Sequence, residues 1–370
     1  MTVSSCNRKK VLFIGDLNRD LAEYQRFSEK YECIHYSIPA TKEEMIEAFK
    51  TKFSDIDAIY GAWLGFVPYK GFKGDLLVAA PPSLKVISIC SVGHDAYDGN
   101  HMKKRGMVLT NVPSNGAAEP VADLVLFNTL AAFRNFTLST KGLLPELNHT
   151  VQVRNAQSVA EFSPKTGKLS VLKLQPGYSF GHHIANRPCA NPRDHHAVIV
   201  GFGNIGRTIA QRLSLIGMHI HYVKRSKLSE TEEKELGYPV QYHATLEDAA
   251  EVADLVVIAC PASPETYRLL NKSAFDKFAK PLRVINIGRG PVIDEQALVD
   301  ALKEGKVVFA GLDVFENEPA VHPELYGRDD VILTPHIGAS TVENFDYTAI
   351  SAMENIDAVL EGKEAIFPVN

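Results

Sequence analysis

Short runs of β-branched and apolar residues alternate with longer stretches of helical period along the whole chain. Val11–Ile14, Ala58–Tyr60, Val86–Ile89 and Val108–Thr110 predict a first group of strands. Ala197–Val200, His219–Val223, Leu255–Ala259, Arg283–Ile287, Val308–Ala310 and Val331–Leu333 predict a second. Most of these runs are continuously apolar rather than alternating, the pattern of strands covered on both faces of a parallel sheet. Helical patterns such as Ile205–Gly217 and Asp294–Glu304 sit between them, which predicts βαβ units and an α/β fold of two doubly wound parallel sheets. A long apolar helix is expected over Ala117–Asn135 and a helical tail over Val342–Leu360. The stretch 143–196, broken by Pro145, Pro164, Pro176, Pro188 and Pro192, is expected to be an irregular insert.

Composition narrows the function. A length of 370 residues suits two domains. The net charge is −5 and there is no Lys/Arg block, which argues against a nucleic-acid or anionic-membrane partner. The most apolar helix pattern, Val121–Phe133, is too short to span a bilayer and contains Asp123 and Asn128. No secretory signal is expected, because MTVSSCNRKK runs straight into a strand pattern. Cys6, Cys33, Cys90, Cys189 and Cys260 are odd in number and widely spaced, so reduced thiols in a cytoplasmic protein are expected, with no metal site.

Gly201-Phe202-Gly203-Asn204-Ile205-Gly206 follows a buried strand pattern and opens a helical one. In that setting GxGxxG is a dinucleotide signature. Gly201 permits the tight turn, Gly203 lets backbone approach a pyrophosphate, and Gly206 lets the helix pack close to the strand. The helix N-terminus supplies N–H groups and partial positive charge for the phosphates. The next strand pattern ends in Lys224-Arg225-Ser226, where an NAD site usually carries an acid for the ribose 2′-hydroxyl. Two cations and a hydroxyl suit a 2′-phosphate, so NADP(H) is expected in preference to NAD(H).

Three further stretches carry chemistry at the ends of strand patterns: a glycine-flanked Arg289, Asp313 to Glu318 in GLDVFENEP, and His336 in LTPHIG. Ligands of open α/β sheets bind beyond the carboxyl ends of the strands. An Arg can fork onto a carboxylate. A His can protonate an alkoxide, and a nearby carboxylate favours its charged form. Such a set suits ketone reduction.

At these residues the chain resembles the D-isomer-specific 2-hydroxyacid dehydrogenase family. The likeness runs from about Leu84 to Gly338 and rests on GFGNIGR at 201–207, PASPETYRLLN at 261–271, VINIGRGPVIDEQAL at 284–298, GLDVFENEP at 311–319 and LTPHIGAST at 333–341. The spacings, 29 residues from Arg289 to Glu318 and 18 from Glu318 to His336, agree with the family. The resemblance implies Arg289 as the substrate-binding arginine, His336 as general acid/base and Glu318 as its carboxylate partner. It implies Asp313 at the nicotinamide carboxamide and Val92-Gly93 as a backbone grip on the substrate carboxylate. Its cofactor set also takes in Asn204, Ile205, Cys260, Pro261, Ile287 and Gly288. It further implies two Rossmann-like domains with the active site in the cleft between them, and a homodimer. The substrate domain would be 1–113 with 337–370, and the dinucleotide domain 114–336.

Some positions depart from the family pattern. Asn286-Ile287-Gly288-Arg289-Gly290 stands where NTARG is common, though NIGRG also occurs among NADPH-using members. Val121-Ala122-Asp123 stands where Thr-Ala-Asp is common. Asn191–His196 replaces the usual GKT entry to the glycine loop and resembles the fungal D-mandelate dehydrogenase branch, which acts on aromatic 2-oxo acids. In the family the loop holding Trp63, Leu64 and Phe66 overhangs the substrate. An apolar, aromatic loop there favours a bulky, phenylpyruvate-like oxo acid, since burying a phenyl ring is worth about 1.5–3 kcal/mol. Glyoxylate/hydroxypyruvate reduction is the alternative within the family. A corepressor-like dinucleotide sensor is the alternative outside catalysis.

Overall fold

The computed structural model describes residues 8–63 and 65–370. It divides into two compact units, one running up to Gly116 and resuming at Ser340–Asn370, the other spanning Ala117–Ala339. The boundaries expected from the sequence, at 113/114 and 336/337, lie a few residues N-terminal to these.

In the first unit β1 (Lys10–Ile14), β2 (Glu32–Tyr36), β3 (Ala58–Gly61), β4 (Val86–Ile89) and β5 (Val108–Thr110) form a parallel sheet of order β2-β1-β3-β4-β5. The inner strands are buried on both faces, as their continuous apolar runs require. The tail forms the helix Val342–Leu360, capped by Thr341, whose side chain accepts the Asn344 N–H at 3.3 Å. Its Ala349, Ala352, Met353 and Ile356 bury against Val11, Phe13 and Tyr60.

The helix Asn115–Arg134 falls almost wholly in the second unit, and the insert follows it. The insert is more ordered than its prolines suggest: it holds a helix, Thr150–Val159, and two hairpins. These pair β6 (Phe162–Ser163) with β7 (Lys168–Leu169) and β8 (His183–Ile184) with β9 (Arg187–Pro188). Two-residue strands leave no periodicity to read. The main sheet comprises β10 (His196–Val200), β11 (His219–Val223), β12 (Val240–His243), β13 (Leu255–Ile258), β14 (Leu282–Asn286), β15 (Val307–Leu312) and β16 (Val331–Leu333). All pairings are parallel, in the order β12-β11-β10-β13-β14-β15-β16. Strand order reverses at β10, the switch point where ligands of such sheets bind. The helix Asn204–Leu215 buries Ile209, Ala210 and Leu213 against one face of this sheet, beside Val125 and Phe133. Among the described residues no helix is long and apolar enough to cross a membrane, and no cluster of His, Cys, Asp or Glu could hold a metal ion.

β2 and β12, edge strands with polar positions, are not predicted from the sequence. Their patterns, Glu32-Cys-Ile-His-Tyr and Val240-Gln-Tyr-His, lack the apolar run that marks the inner strands.

Candidate active site

The glycine loop sits at the β10 switch point, and each glycine there has a separate spatial reason. Gly201 has φ +95°, and a Cβ on it would lie 2.7 Å from the Ala259 carbonyl and the Cys260 nitrogen. A Cβ on Gly206 would lie 2.2 Å from the Gly201 carbonyl. Gly203 is different: a Cβ there meets nothing within 4 Å. It faces open space at the N-terminus of the helix Asn204–Leu215, where as the N-cap it has no side chain to bond the first-turn N–H groups. Asn204 is exposed and Ile205 half-buried in that first turn. A phosphate fits this cradle: N–H groups and the positive end of the helix dipole on one side, no side chain on the other. Gly288 closes the floor, where a Cβ would lie 2.6 Å from the Cys260 carbonyl. Ile287 precedes it, half-buried, and its N–H bonds the Ile258 carbonyl at 3.2 Å. Cys260 is buried, which pushes its thiol up to about 11, and Pro261 is exposed beside it.

At the end of β11 Lys224 is half-buried and Arg225 and Ser226 are exposed. Glu265 stands in the field of Arg225. Hydrogen bonds from the Ser263 side chain and its own backbone N–H hold its carboxyl below the usual range, with a smaller contribution from that cation.

Arg289 lies just beyond β14 in a turn wrapped by the buried Asn286 side chain. Asn286 Nδ2 donates to the Arg289 carbonyl at 3.0 Å, and its Oδ1 accepts the Gly288 N–H at 3.1 Å. The Arg289 Nη1 donates to the Gly288 carbonyl at 2.8 Å. Glu318 sits in a tight turn over 317–320, closed by the Ala320 N–H on the Asn317 carbonyl at 3.0 Å. Its Oε1 accepts the Phe315 N–H at 3.0 Å.

His336 follows β16 in a left-handed backbone conformation, φ +56°. Its Nδ1 lies 3.2 Å from Glu318 Oε2, so the other ring nitrogen points away from the carboxylate. Burial pushes the Glu318 carboxyl up, but the His336 hydrogen bond and charge, the Phe315 N–H and the Arg289 charge together hold it below its ordinary value. The three charged residues expected from the sequence therefore share one field within the second unit. A pair like this can present a proton at the ring edge away from the carboxylate, with a guanidinium nearby for an anion.

Asp313 is buried, and its carboxylate braces the His336 loop. Oδ1 accepts the Thr334 hydroxyl at 2.6 Å and the Ile337 N–H at 2.9 Å, and Oδ2 accepts the Gly338 N–H at 2.8 Å. Asn286, Glu295 and Glu316 are the supporting residues that the sequence reading missed. Each lies inside a motif it quoted, but a residue's partner across two loops is not visible in spacing.

In the first unit, both carbonyls of the Val92–Gly93 turn are engaged. Asn111 Nδ2 donates to Val92 at 2.8 Å and the Ser91 hydroxyl to Gly93 at 2.8 Å. Trp63 is 47% exposed. Phe66 is not part of an exposed aromatic surface: it is fully buried, edge-on to Phe72 with ring centroids 4.8 Å apart. Leu64 lies outside the described residues.

A seven-stranded parallel sheet whose first strand opens on this cradle defines a dinucleotide-binding α/β protein. Comparison with known proteins narrows the class. Residues 180–338 match the family model described as D-isomer specific 2-hydroxyacid dehydrogenase, NAD binding domain. The hydroxyphenylpyruvate reductase of Plectranthus scutellarioides is 33% identical, over 79% of this chain and 80% of its own. The holo D-mandelate dehydrogenase of Rhodotorula graminis superimposes with a TM-score of 0.82 at 29% identity, covering 98% of both chains. The NADPH-dependent glyoxylate/hydroxypyruvate reductase of Sinorhizobium meliloti, solved with NADP and malonate, gives 0.72 at 27% identity, covering 98% of this chain and 97% of its own. The chain belongs to the D-isomer-specific 2-hydroxyacid dehydrogenase family.

Proposed function

We propose that the protein reduces a 2-oxo acid to the D-2-hydroxy acid with NADPH. The observation that carries this reading is the His336–Glu318 hydrogen bond at 3.2 Å, with the Arg289 charge acting on the same carboxylate. The reduced nicotinamide supplies the hydride when it is bound. The Gly201–Gly206 turn and the helix behind it hold the pyrophosphate, and Lys224, Arg225 and Ser226 hold the 2′-phosphate. Arg289 forks onto the substrate carboxylate, with the Val92 and Gly93 N–H groups as its second grip. His336, held by its Nδ1 against Glu318, gives its proton to the carbonyl oxygen as the alcohol forms. Asp313 has spent three acceptor sites on the His336 loop, and a carboxylate offers about four, so one remains for the nicotinamide carboxamide.

For the substrate we propose a bulky or aromatic oxo acid such as phenylpyruvate. Support comes from exposed Trp63 and from relatives named for mandelate and hydroxyphenylpyruvate. Burial of Phe66 favours a second reading, glyoxylate or hydroxypyruvate reduction, because it leaves less aromatic surface on that loop. Steady-state kinetics with phenylpyruvate, hydroxypyruvate and glyoxylate, each with NADPH and NADH, separates the two. A preference for either small acid rejects the aromatic assignment. His336→Ala should cost about 10²–10⁴ in kcat with NADPH binding retained, and undiminished turnover rejects the acid/base role.

The reading includes a homodimer, supported by exposed apolar side chains over the insert and its approach: Phe136, Leu143, Val171, Tyr178 and Phe180. The compartment it implies is the cytoplasm, where thiols such as Cys33, Cys90, Cys189 and Cys260 stay reduced.

A further inference from the structure

Glu295 is a carboxylate in an expensive place. It is the first residue of the helix Glu295–Lys303 and only 3% exposed. An ionised carboxylate persists there only if its oxygens are satisfied. Its partner is a backbone N–H group: Oε1 accepts the Glu316 N–H at 2.9 Å. On the same helix, Gln296 Oε1 meets the His322 Nε2 at 3.2 Å. Burial raises the Glu295 carboxyl, and the Glu316 N–H opposes that rise. Residues 316 and 322 bracket the segment that contains Glu318.

The contact is reciprocal. The Glu295 N–H, one of the donors a helix start leaves without an intrahelical partner, bonds Glu316 Oε2 at 3.2 Å. Arg268 holds Glu316 from outside, Nε to Oε1 at 2.8 Å, and reaches Asp294 at 3.3 Å. Next to this knot the Arg289 and Glu318 loops touch backbone to backbone: a Cβ on Gly290 would lie 1.8 Å from the Phe315 carbonyl. Residues 316–322 belong to no strand of the main sheet, so no ladder fixes them.

We infer that Glu295 is a positioning residue: its carboxylate pins the start of the turn that presents Glu318 to His336. It touches neither substrate nor coenzyme and acts only through that turn. The inference rests on the proposed role of the Glu318–His336 pair.

The test uses the full-length protein and two variants. Glu295→Met removes both acceptors at similar length. Glu295→Gln keeps a carbonyl acceptor and loses the charge. Amide hydrogen exchange over residues 315–322 is read without substrate, alongside kcat, KM and NADPH affinity by fluorescence titration. In Glu295→Met the Glu316 amide should exchange at least about tenfold faster, and kcat should fall by about tenfold or more. NADPH affinity should stay within about threefold, since the glycine loop is untouched, and Glu295→Gln should fall between wild type and Glu295→Met. His336→Ala is the control. If it keeps turnover, the acid/base reading fails, whatever Glu295 does. If it loses turnover while Glu295→Met retains kcat and amide protection, the positioning role is overturned. If Glu295→Met does not fold, Glu295→Gln decides on the same two readouts.

Discussion

The Asp313 carboxylate and the Gly338 backbone are in direct contact. Oδ2 accepts the Gly338 N–H at 2.8 Å, and a Cβ on Gly338 would stand 2.9 Å from the same oxygen. Together with the bonds to Thr334 and Ile337, this contact ties down the chain on both sides of His336. A non-glycine residue held at positive φ costs on the order of 1–3 kcal/mol and persists only when its surroundings fix it. Asp313→Asn turns one acceptor into a donor facing an N–H group. It should let the His336 loop relax and lower kcat by about 10–100-fold, with the fold retained by circular dichroism. Wild-type kcat in Asp313→Asn would show that the loop holds its shape without this carboxylate.

The coenzyme preference is testable at Arg225, which is exposed just past β11 and acts on Glu265. A charge-assisted bond to a 2′-phosphate is worth about 1.5–3 kcal/mol, and every 1.4 kcal/mol is tenfold. Arg225→Ala should therefore raise KM for NADPH about tenfold or more and leave KM for NADH nearly unchanged. An equal change for both coenzymes rules out recognition of the 2′-phosphate by this side chain.

Three histidines form a hydrogen-bonded chain across β10, β11 and β12, and it gives the protein a pH-dependent stability. His196 Nδ1 meets His221 Nε2 at 2.8 Å, and His221 Nδ1 meets His243 Nε2 at 2.8 Å. Burial first, then the neighbouring His196, His243 and His219, push His221 down from 6.5 to about 4. Asp254 and Lys280 flank the chain at its His196 end. As pH falls from 6.5 toward 4 the unfolded chain takes up this proton and the folded one does not. Stability is therefore lost across that window at up to about 1.4 kcal/mol per pH unit, and the loss levels off below it. Melting temperatures between about pH 7 and pH 4.5 should fall less steeply in His221→Val than in wild type. Parallel slopes in the two proteins exclude this histidine as the source.

The two sheets were legible because their inner strands are covered on both faces, and continuous apolar runs such as Leu255-Val256-Val257-Ile258 have few other uses. The glycine loop was legible because Gly201 and Gly206 answer to backbone contacts that no side chain tolerates. His336, Glu318 and Arg289 stood out as polar residues at strand ends. Phe66 was misread because an aromatic residue in a loop looks the same whether it faces solvent or packs on Phe72. The supports were missed for a related reason. Glu295 reads as an ordinary helix-start acid, and only the fold brings the Glu316 amide to it.

The β6–β7 hairpin of the insert rests against a buried ion pair of the second unit. Arg328 Nε and Nη2 donate to Asp330 Oδ1 and Oδ2, both at 2.9 Å, and the same Nη2 reaches the Pro164 carbonyl at 2.8 Å. Beside it Asp329 accepts the Leu169 N–H at 2.9 Å and pairs with Lys141. Gly167 fits only because it has no side chain, since a Cβ would lie 2.7 Å from the Arg328 guanidinium carbon. Removing one member of a buried pair strands the other and costs about 3–5 kcal/mol, whereas an exposed pair is worth about 1 kcal/mol or less. Arg328→Met should therefore lower the melting temperature by several degrees and open the β6–β7 hairpin to limited proteolysis. Lys277→Met, in a pair with Glu247 that is exposed on both sides, should do neither to a comparable extent. If Arg328→Met leaves the hairpin as protease-resistant as wild type, the insert is held by its hydrophobic contacts around Leu138 and Ile184 rather than by this pair.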